Sequence, residues 1–218
     1  MIRQLTFITL ILYPSLISFN HSRLLSNDEY NIIKIDSAKA IYLGNFVLQP
    51  KDPFEFSLIN NGLSDTLALR TCTEYVYYPF GRLNNKSDLL HSKLSNFNIR
   101  NRIDKKDIGD VEFQILTLKS SRLILFFDND PEASKHSYIL KGEIKDSEVN
   151  FLEGIKIGMA KDIFFTIFFE KFPVALLKQY NYFVLKSCID DITHTYSFKD
   201  NKLQSIDFIT DSYWVVNY

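Results

Sequence analysis

The fold of this chain is decided by residues 154–173, which read GIKIGMAKDIFFTIFFEKFP. Gly158 permits a tight turn, because a residue without a Cβ readily takes left-handed backbone angles. From residue 160 to residue 172 the apolar side chains recur with the period of an α-helix, and Pro173 ends that pattern. The sequence therefore predicts a heavily buried helix. Its buried face comprises Ile163, Phe164, Ile167 and Phe168, widened by Phe165 and Phe169.

Strands are predicted for much of the remaining chain. These segments are rich in Val, Ile, Tyr, Phe and Thr, which suit a pleated surface with one buried face. Polar turns at residues 119–122 and 199–202 join successive strands, so antiparallel hairpins are expected. The predicted class is α+β. The predicted strands are 32–46, 67–78, 111–118, 122–127, 137–144, 149–157, 182–188, 192–198 and 203–210.

Three short motifs occur twice in the chain, in the same order. Residues 41–44 are similar to residues 155–158, and residues 69–76 are similar to residues 185–192. Between them a Lys-Asp-x-Phe motif occurs twice, as Lys51, Asp52 and Phe54 and as Lys161, Asp162 and Phe164. Matching order and similar spacing indicate duplication. We therefore predict tandem helix-plus-antiparallel-sheet repeats that form one globular unit.

The duplication divides the chain into repeat 1, residues 32–130, and repeat 2, residues 131–218. In repeat 1 a helix is predicted to begin at residues 51–53, where proline is tolerated early in a helix. It is predicted to end at Asn61-Gly62. The polar segment at about residues 81–109 is predicted to be an inserted surface loop.

The first twenty residues have the pattern of a secretory leader. Arg3 precedes a mostly apolar run over residues 5–19, which is shorter than the ~20 residues that a membrane-spanning helix needs. We predict a signal peptide at residues 1–20 and a flexible mature N-terminus at residues 21–31. The alternatives are an uncleaved anchor and a buried first helix. The cleaved protein is expected to be periplasmic or secreted, without stable membrane insertion.

Charge and cysteine content exclude several classes of protein. The chain has 25 basic and 26 acidic side chains, so no long-range field attracts nucleic acid or anionic lipid. Its two cysteines, Cys72 and Cys188, are too few for a disulfide scaffold. They could pair in an oxidising compartment, or each could be a small buried thiol.

The second half of the chain resembles a known family of envelope proteins. The motif at residues 154–163, a helix, then residues 196–198, a turn and residues 203–208 resemble the fold of β-lactamase inhibitor proteins and of the small lipoprotein of the outer-membrane assembly machinery. The resemblance implies a helix packed on an antiparallel sheet, and binding or assembly rather than catalysis. Two departures are the absence of Gly-x-Pro after the helix, where residues 171–173 read KFP, and the absence of a lipid-bearing cysteine.

One cluster of side chains suggests chemistry. On a strand, Asp190, Ile192 and His194 would share one face, with Asp191 on the other. This pair of acid and imidazole supports an alternative function, a small hydrolase or metal-dependent enzyme centred on Asp190 and His194. The simpler interpretation is a solvated strand or turn. No nucleophile, phosphate-loop, zinc or dinucleotide motif occurs, so no catalytic residue, metal ligand or cofactor is predicted.

Aromatic side chains form the remaining candidate site. Tyr75, Tyr77 and Tyr78, together with Tyr213 and Trp214, could line a surface that recognises a protein partner, because amphipathic rings bind at low entropic cost. Packing in the core is the alternative use of such rings. The sequence thus predicts an exported protein-binding or envelope-assembly module without catalysis.

Overall fold

The computed structural model describes residues 39–60, 65–106, 109–127, 137–188 and 192–210. All of them belong to one compact unit, Ile35–Tyr218. The predicted signal peptide and flexible N-terminus lie outside the described residues. The described chain is a mixed α+β structure in which strands predominate and helices are short.

The elements follow in chain order. The strands are β1 Ile41–Leu43, β2 Phe46–Pro50, β3 Ser57–Asn60, β4 Thr66–Thr71, β5 Asn98–Lys106, β6 Gly109–Leu118, β7 Ser121–Leu125, β8 Ile139–Ile144, β9 Phe169–Lys171, β10 Tyr182–Ser187, β11 Ile192–Lys199 and β12 Lys202–Thr210. The α-helices are α1 Glu74–Tyr77, α2 Lys161–Phe168 and α3 Val174–Gln179, and short 3-10 helices cover Lys86–His91 and Leu152–Gly154.

These strands form two sheets. The larger has nine strands in the order β3-β4-β10-β11-β12-β8-β7-β6-β5, and the smaller has the order β1-β2-β9. In the large sheet β4 and β10 are parallel, and every other neighbouring pair is antiparallel. The predicted hairpins at residues 119–122 and 199–202 are therefore confirmed, because β6 pairs with β7 and β11 pairs with β12.

An aromatic core joins α2 to the large sheet. Phe164 is fully buried, and its ring centroid lies 5.7 Å from that of Phe183 on β10 and 4.9 Å from that of Tyr196 on β11. Phe165 and Phe168 are also fully buried and contact Phe183. The helix therefore packs across β10 and β11, as its apolar face predicts.

Lys161 at the start of α2 is buried and links α2 to α3 through hydrogen bonds. Its Nζ donates hydrogen bonds to the carbonyl oxygens of Leu177 (2.9 Å) and Tyr180 (2.7 Å), at the C-terminal end of α3. A cation at this end satisfies helix carbonyls that have no partner within the helix. Burial lowers the pKa of the Lys161 ammonium group.

The predicted helix differs from the observed one at its end and on one face. The helix ends at Phe168, and the chain continues as β9, which pairs with β2 in the small sheet. Ile163, assigned to the buried face, is 53% exposed. The residues that follow Phe168 therefore continue as a strand rather than as a helix, and the buried ring of Phe169 packs against the rings of Phe56, Phe165 and Phe183.

Three predicted strands are wrong in whole or in part. In residues 32–46, of which the structure describes 39–46, a turn at Gly44 and Asn45 separates β1 from β2. Residues 149–157 contain the 3-10 helix Leu152–Gly154, where Glu153 and Gly154 have positive φ of 58° and 72°; that backbone breaks a strand. The strand predicted over residues 67–78 ends at Thr71, and α1 follows.

The tandem repeat is not found in the described residues. The helix expected from residues 51–53 is absent, because residues 51–56 are irregular and β3 follows them, whereas the matching Lys161 and Asp162 begin α2. The surface loop expected at about residues 81–109 is also corrected. It contains a 3-10 helix and all of β5, and it buries Leu89, Leu94 and Phe97.

One pair of the matched motifs does meet in space. Strand β4 lies beside β10 in parallel, and Leu69, Arg70 and Thr71 pair with Leu185, Lys186 and Ser187 respectively. Each partner is the residue that the sequence match assigns to it. The two motifs are thus neighbouring strands of one sheet.

Candidate functional site

The two cysteines lie where the parallel strands end. Thr71 pairs with Ser187 in the sheet, and the next residues, Cys72 and Cys188, form a disulfide with an S–S distance of 2.07 Å. The pairing that the sequence left open is therefore present. A disulfide is consistent with an oxidising compartment.

The candidate tyrosines of α1, and Tyr78 directly after it, are core residues. Tyr75, Tyr77 and Tyr78 are 5%, 7% and 8% exposed, because α1 packs against β10 and β11. The prediction that these three rings line a recognition surface is therefore corrected. Tyr213 and Trp214 lie outside the described residues.

His194 is buried in the sheet core. It shares one face of β11 with buried Ile192, as predicted, but it is only 1% exposed. Its ring centroid lies 4.8 Å from that of Phe208 on β12. Burial lowers the pKa of the imidazole to about 3, with an opposing contribution from a hydrogen bond to the backbone of Val76. His194 is thus a neutral core side chain at neutral pH rather than part of a solvated strand.

A short buried polar chain ends at His194. The hydroxyl groups of Tyr75 and Tyr196 lie 2.9 Å apart, and the Tyr196 hydroxyl lies 3.4 Å from His194 Nδ1. Burial raises the pKa of both tyrosine hydroxyls. An enzyme centred on Asp190 and His194 would need an accessible imidazole, whereas this one is enclosed. Asp190 and Asp191 lie outside the described residues.

Strand β5 forms one edge of the large sheet. It pairs with β6 over nine residues, from Asn98 opposite Thr117 to Lys106 opposite Gly109. Among the described strands nothing lies on its other side. Most of its side chains are exposed, including Ile103 at 60%. The strand bears four basic residues, Arg100, Arg102, Lys105 and Lys106, and one acidic residue, Asp104.

A cavity of about 530 Å³ lies at the same end of the sheet. Three acceptor side chains of β6 line it at every second position: exposed Asp110, half-buried Glu112 and buried Gln114. The half-buried rings of Phe126 and Phe127, just beyond β7, line it as well. The polar segment of residues 84–87 completes the wall.

Gln114 is the unusual member of this wall. It is 3% exposed, and its Oε1 is buried without a hydrogen-bond partner among the described residues. The same holds for Gln49 Oε1 in β2. Most buried polar atoms are hydrogen-bonded. The sequence analysis missed this site, although Asp110, Glu112 and Gln114 alternate with apolar residues along the strand.

The comparisons with known proteins return no match. No protein-family model, no curated protein and no solved structure matches the chain. In the part of the chain that the structure describes, no helix has the length and apolar character needed to cross a membrane. The same residues contain no cluster of His, Cys, Asp and Glu able to hold a metal ion.

Proposed function

We propose that this chain is an exported binding module that takes an extended acidic segment of a partner protein along the outer edge of β5. The observation that carries this proposal is the edge strand, which is nine residues long and mostly exposed. Alternate residues of such a strand turn backbone N–H and C=O groups outward. An incoming strand can form hydrogen bonds with them and extend the sheet.

The charge of β5 defines the chemistry of the partner. Charged side chains on an edge strand oppose pairing between identical copies, since like charges would meet. Four basic residues against one acidic residue make β5 basic in a chain whose net charge is -1. A segment of opposite charge is attracted rather than repelled by these side chains, and this attraction increases its rate of association with the edge strand. Exposed Ile103 adds an apolar contact.

Two further features support export and a role in the periplasm or outside the cell. The leader pattern at residues 1–20 is one, and the Cys72–Cys188 disulfide is the other. The resemblance to envelope binding and assembly proteins supports a protein partner. In residues 154–210, α2 packs on antiparallel β10 and β11, which is the arrangement that the resemblance implies.

The experiment is capture from an envelope extract with three forms of the mature protein. The edge variant carries Arg100→Glu and Lys105→Glu. The control carries Lys199→Glu and Lys202→Glu, an equal charge change on exposed residues of the β11–β12 hairpin. We expect the same partner with the wild type and the control, and its loss with the edge variant. A partner retained by the edge variant, or enriched by none of the three, would contradict the proposal.

Amide hydrogen exchange locates the contact directly. With the captured partner added, we expect slower exchange at alternate amides of β5, because outward N–H groups become hydrogen-bonded. Protection at β3, on the opposite edge, without change in β5 would place the partner elsewhere and refute the β5 interface.

A further inference from the structure

We propose that the Cys72–Cys188 bond is a site of thiol–disulfide exchange, at which an external thiol attacks Cys72 and Cys188 leaves as a thiolate. The bond lies at the ends of β4 and β10, directly after the paired residues Thr71 and Ser187. It is separate from the β5 edge and does not depend on the partner proposed for that edge. Exchange takes place in the folded protein.

The two cysteines differ in their exposure to solvent. Cys72 is exposed, whereas Cys188 is half-buried. Thr71, directly before Cys72, is buried, so strand alternation turns the Cys72 side chain to the solvent side of the sheet. Exchange begins when a thiolate reaches one of the two sulfur atoms, and its rate depends on access to that atom. The more accessible cysteine, Cys72, is therefore the one that is attacked.

Tyr77 stabilises the sulfur atom that leaves. The Tyr77 hydroxyl lies 3.7 Å from Cys188 Sγ, within hydrogen-bonding distance for sulfur. The ring is 7% exposed, because α1 packs against β10 and β11, so the hydroxyl is held in place. A phenol can donate to a thiolate, and a hydrogen bond to the charged form of a group favours that form. Since a more stable thiolate leaves faster, this contact favours the release of Cys188.

The reductant is a pair of thiol groups, on one dithiol or on two monothiol molecules. The first thiolate bonds to Cys72 Sγ, the Cys72–Cys188 bond breaks, and the electron pair of that bond goes to Cys188 Sγ. The second thiolate then attacks the sulfur of the first and releases Cys72 as a thiolate. The two thiols are oxidised to a disulfide by two electrons, and the two protons that they lose are taken up by Cys72 and Cys188.

The folded protein should survive the loss of this bond. Six register pairs join β4 to β10, from Thr66 opposite Tyr182 to Thr71 opposite Ser187. Each strand also has a second neighbour, β3 beside β4 and β11 beside β10. Reduction is therefore expected to leave the sheet paired and to change only the ends of the two strands.

Trapping the mixed disulfide on the intact, oxidised protein identifies the attacked sulfur. The probes are glutathione and a Cys-x-x-Cys oxidoreductase whose second cysteine is replaced by serine. After acid quenching and alkylation, peptide mass spectrometry should find at least about tenfold more adduct on Cys72 than on Cys188. A faster reaction of the oxidoreductase, per thiolate, identifies a protein as the source of the thiol, and an equal or slower one identifies a small molecule. Adduct on Cys188 at a level equal to or above that on Cys72, or no reaction without denaturant, would overturn the proposal.

Two matched variants test the role of the Tyr77 hydroxyl. Tyr77→Phe removes the donor to Cys188, so reduction by glutathione should become about three- to tenfold slower. Tyr138→Phe is the control, because it removes another buried hydroxyl, which donates to the backbone oxygen of Gly81 rather than to sulfur. Its rate of reduction should equal that of the wild type. An unchanged or faster reduction of Tyr77→Phe, or the same change in both variants, would refute the assigned leaving group.

Amide hydrogen exchange of the reduced protein tests whether the reaction belongs to the folded state. We expect the amides of β4 and β10 to remain protected after reduction, because the strand pairing persists. Loss of protection throughout the large sheet would show that the bond opens only with unfolding, and would overturn exchange in the folded protein.

Discussion

Acidification should destabilise this protein through His194. The pKa of the imidazole is about 3 in the folded protein, against 6.5 for the free group. Between these values the unfolded chain binds a proton that the folded protein does not, so the free energy of unfolding falls as pH decreases. The stability is fully present above about pH 6.5 and is lost progressively towards pH 3.

The size of this effect follows from the same two pKa values. Each pH unit below 6.5 lowers the free energy of unfolding by about 1.4 kcal/mol, until the imidazole of the folded protein also binds a proton. Between about pH 7.5 and about pH 4.5, His194 should therefore account for a loss of about 2.5–3 kcal/mol. Against a total stability of about 5–15 kcal/mol this is a large part.

Urea unfolding of the wild type and of His194→Gln measures the effect. Glutamine retains hydrogen-bonding capacity and does not titrate, while carboxylates and other groups common to both proteins cancel in the difference. We expect the variant to lose about 2.5 kcal/mol less than the wild type on acidification. His91→Gln, at an exposed position, should follow the wild type. Equal losses in the wild type and His194→Gln would refute a buried, neutral imidazole.

The remaining predictions concern packing. Phe164→Ala should lower the free energy of unfolding by about 3–5 kcal/mol because it leaves a cavity in the core. Ile163→Ala, on the exposed side of α2, should lower it by under about 1 kcal/mol. Equal losses in urea melts would contradict the observed buried face of the helix. Tyr75→Phe and Tyr196→Phe should each lower the free energy of unfolding by about 1–3 kcal/mol, because each leaves the other hydroxyl buried without this hydrogen bond. The double variant should lose less than the sum of the two single variants. Additivity in a double-mutant cycle would exclude the hydrogen bond. Gly142→Ala should lower the free energy of unfolding by about 1–3 kcal/mol, since its methyl group would clash with the backbone carbonyl oxygen of Arg122 in β7. Wild-type stability in thermal melts would refute that close approach.

Elements with local signals were predictable from the sequence. Strands β6, β7, β8, β10, β11 and β12 lie within a few residues of their predicted bounds, because alternating apolar residues and polar turns are read from the chain itself. The errors have different causes. Phe151 and Ile155 are buried like strand residues, yet they flank a 3-10 helix and pack as loop residues. Pro53 disfavours a helical conformation at Asp52, which outweighs the match with Lys161 and Asp162.

The candidate site was less predictable, because burial depends on distant strands. The side of β11 that His194 occupies follows from strand alternation. The ring that packs against it, Phe208, belongs to β12. The disulfide likewise depends on the register of β4 and β10, which lie more than 100 residues apart. The alternation of Asp110, Glu112 and Gln114 is visible in the sequence, but the unpaired oxygen of Gln114 depends on packing alone.

The strand order has a consequence for how the chain can mature. The hairpin β11–β12 and its neighbour β10, late in the chain, lie in the middle of the large sheet and join β4 on one side to β8 on the other. Until residues 182–210 have emerged, β4 and β8 therefore each present an unpaired edge. Contacts between such distant residues form slowly, and unpaired edges invite aggregation. A polypeptide delivered from its N-terminus therefore exposes these two edges until β10–β12 arrive, whereas the bond between Cys72 and Cys188 can close once residue 188 has emerged, before β11 and β12 are available.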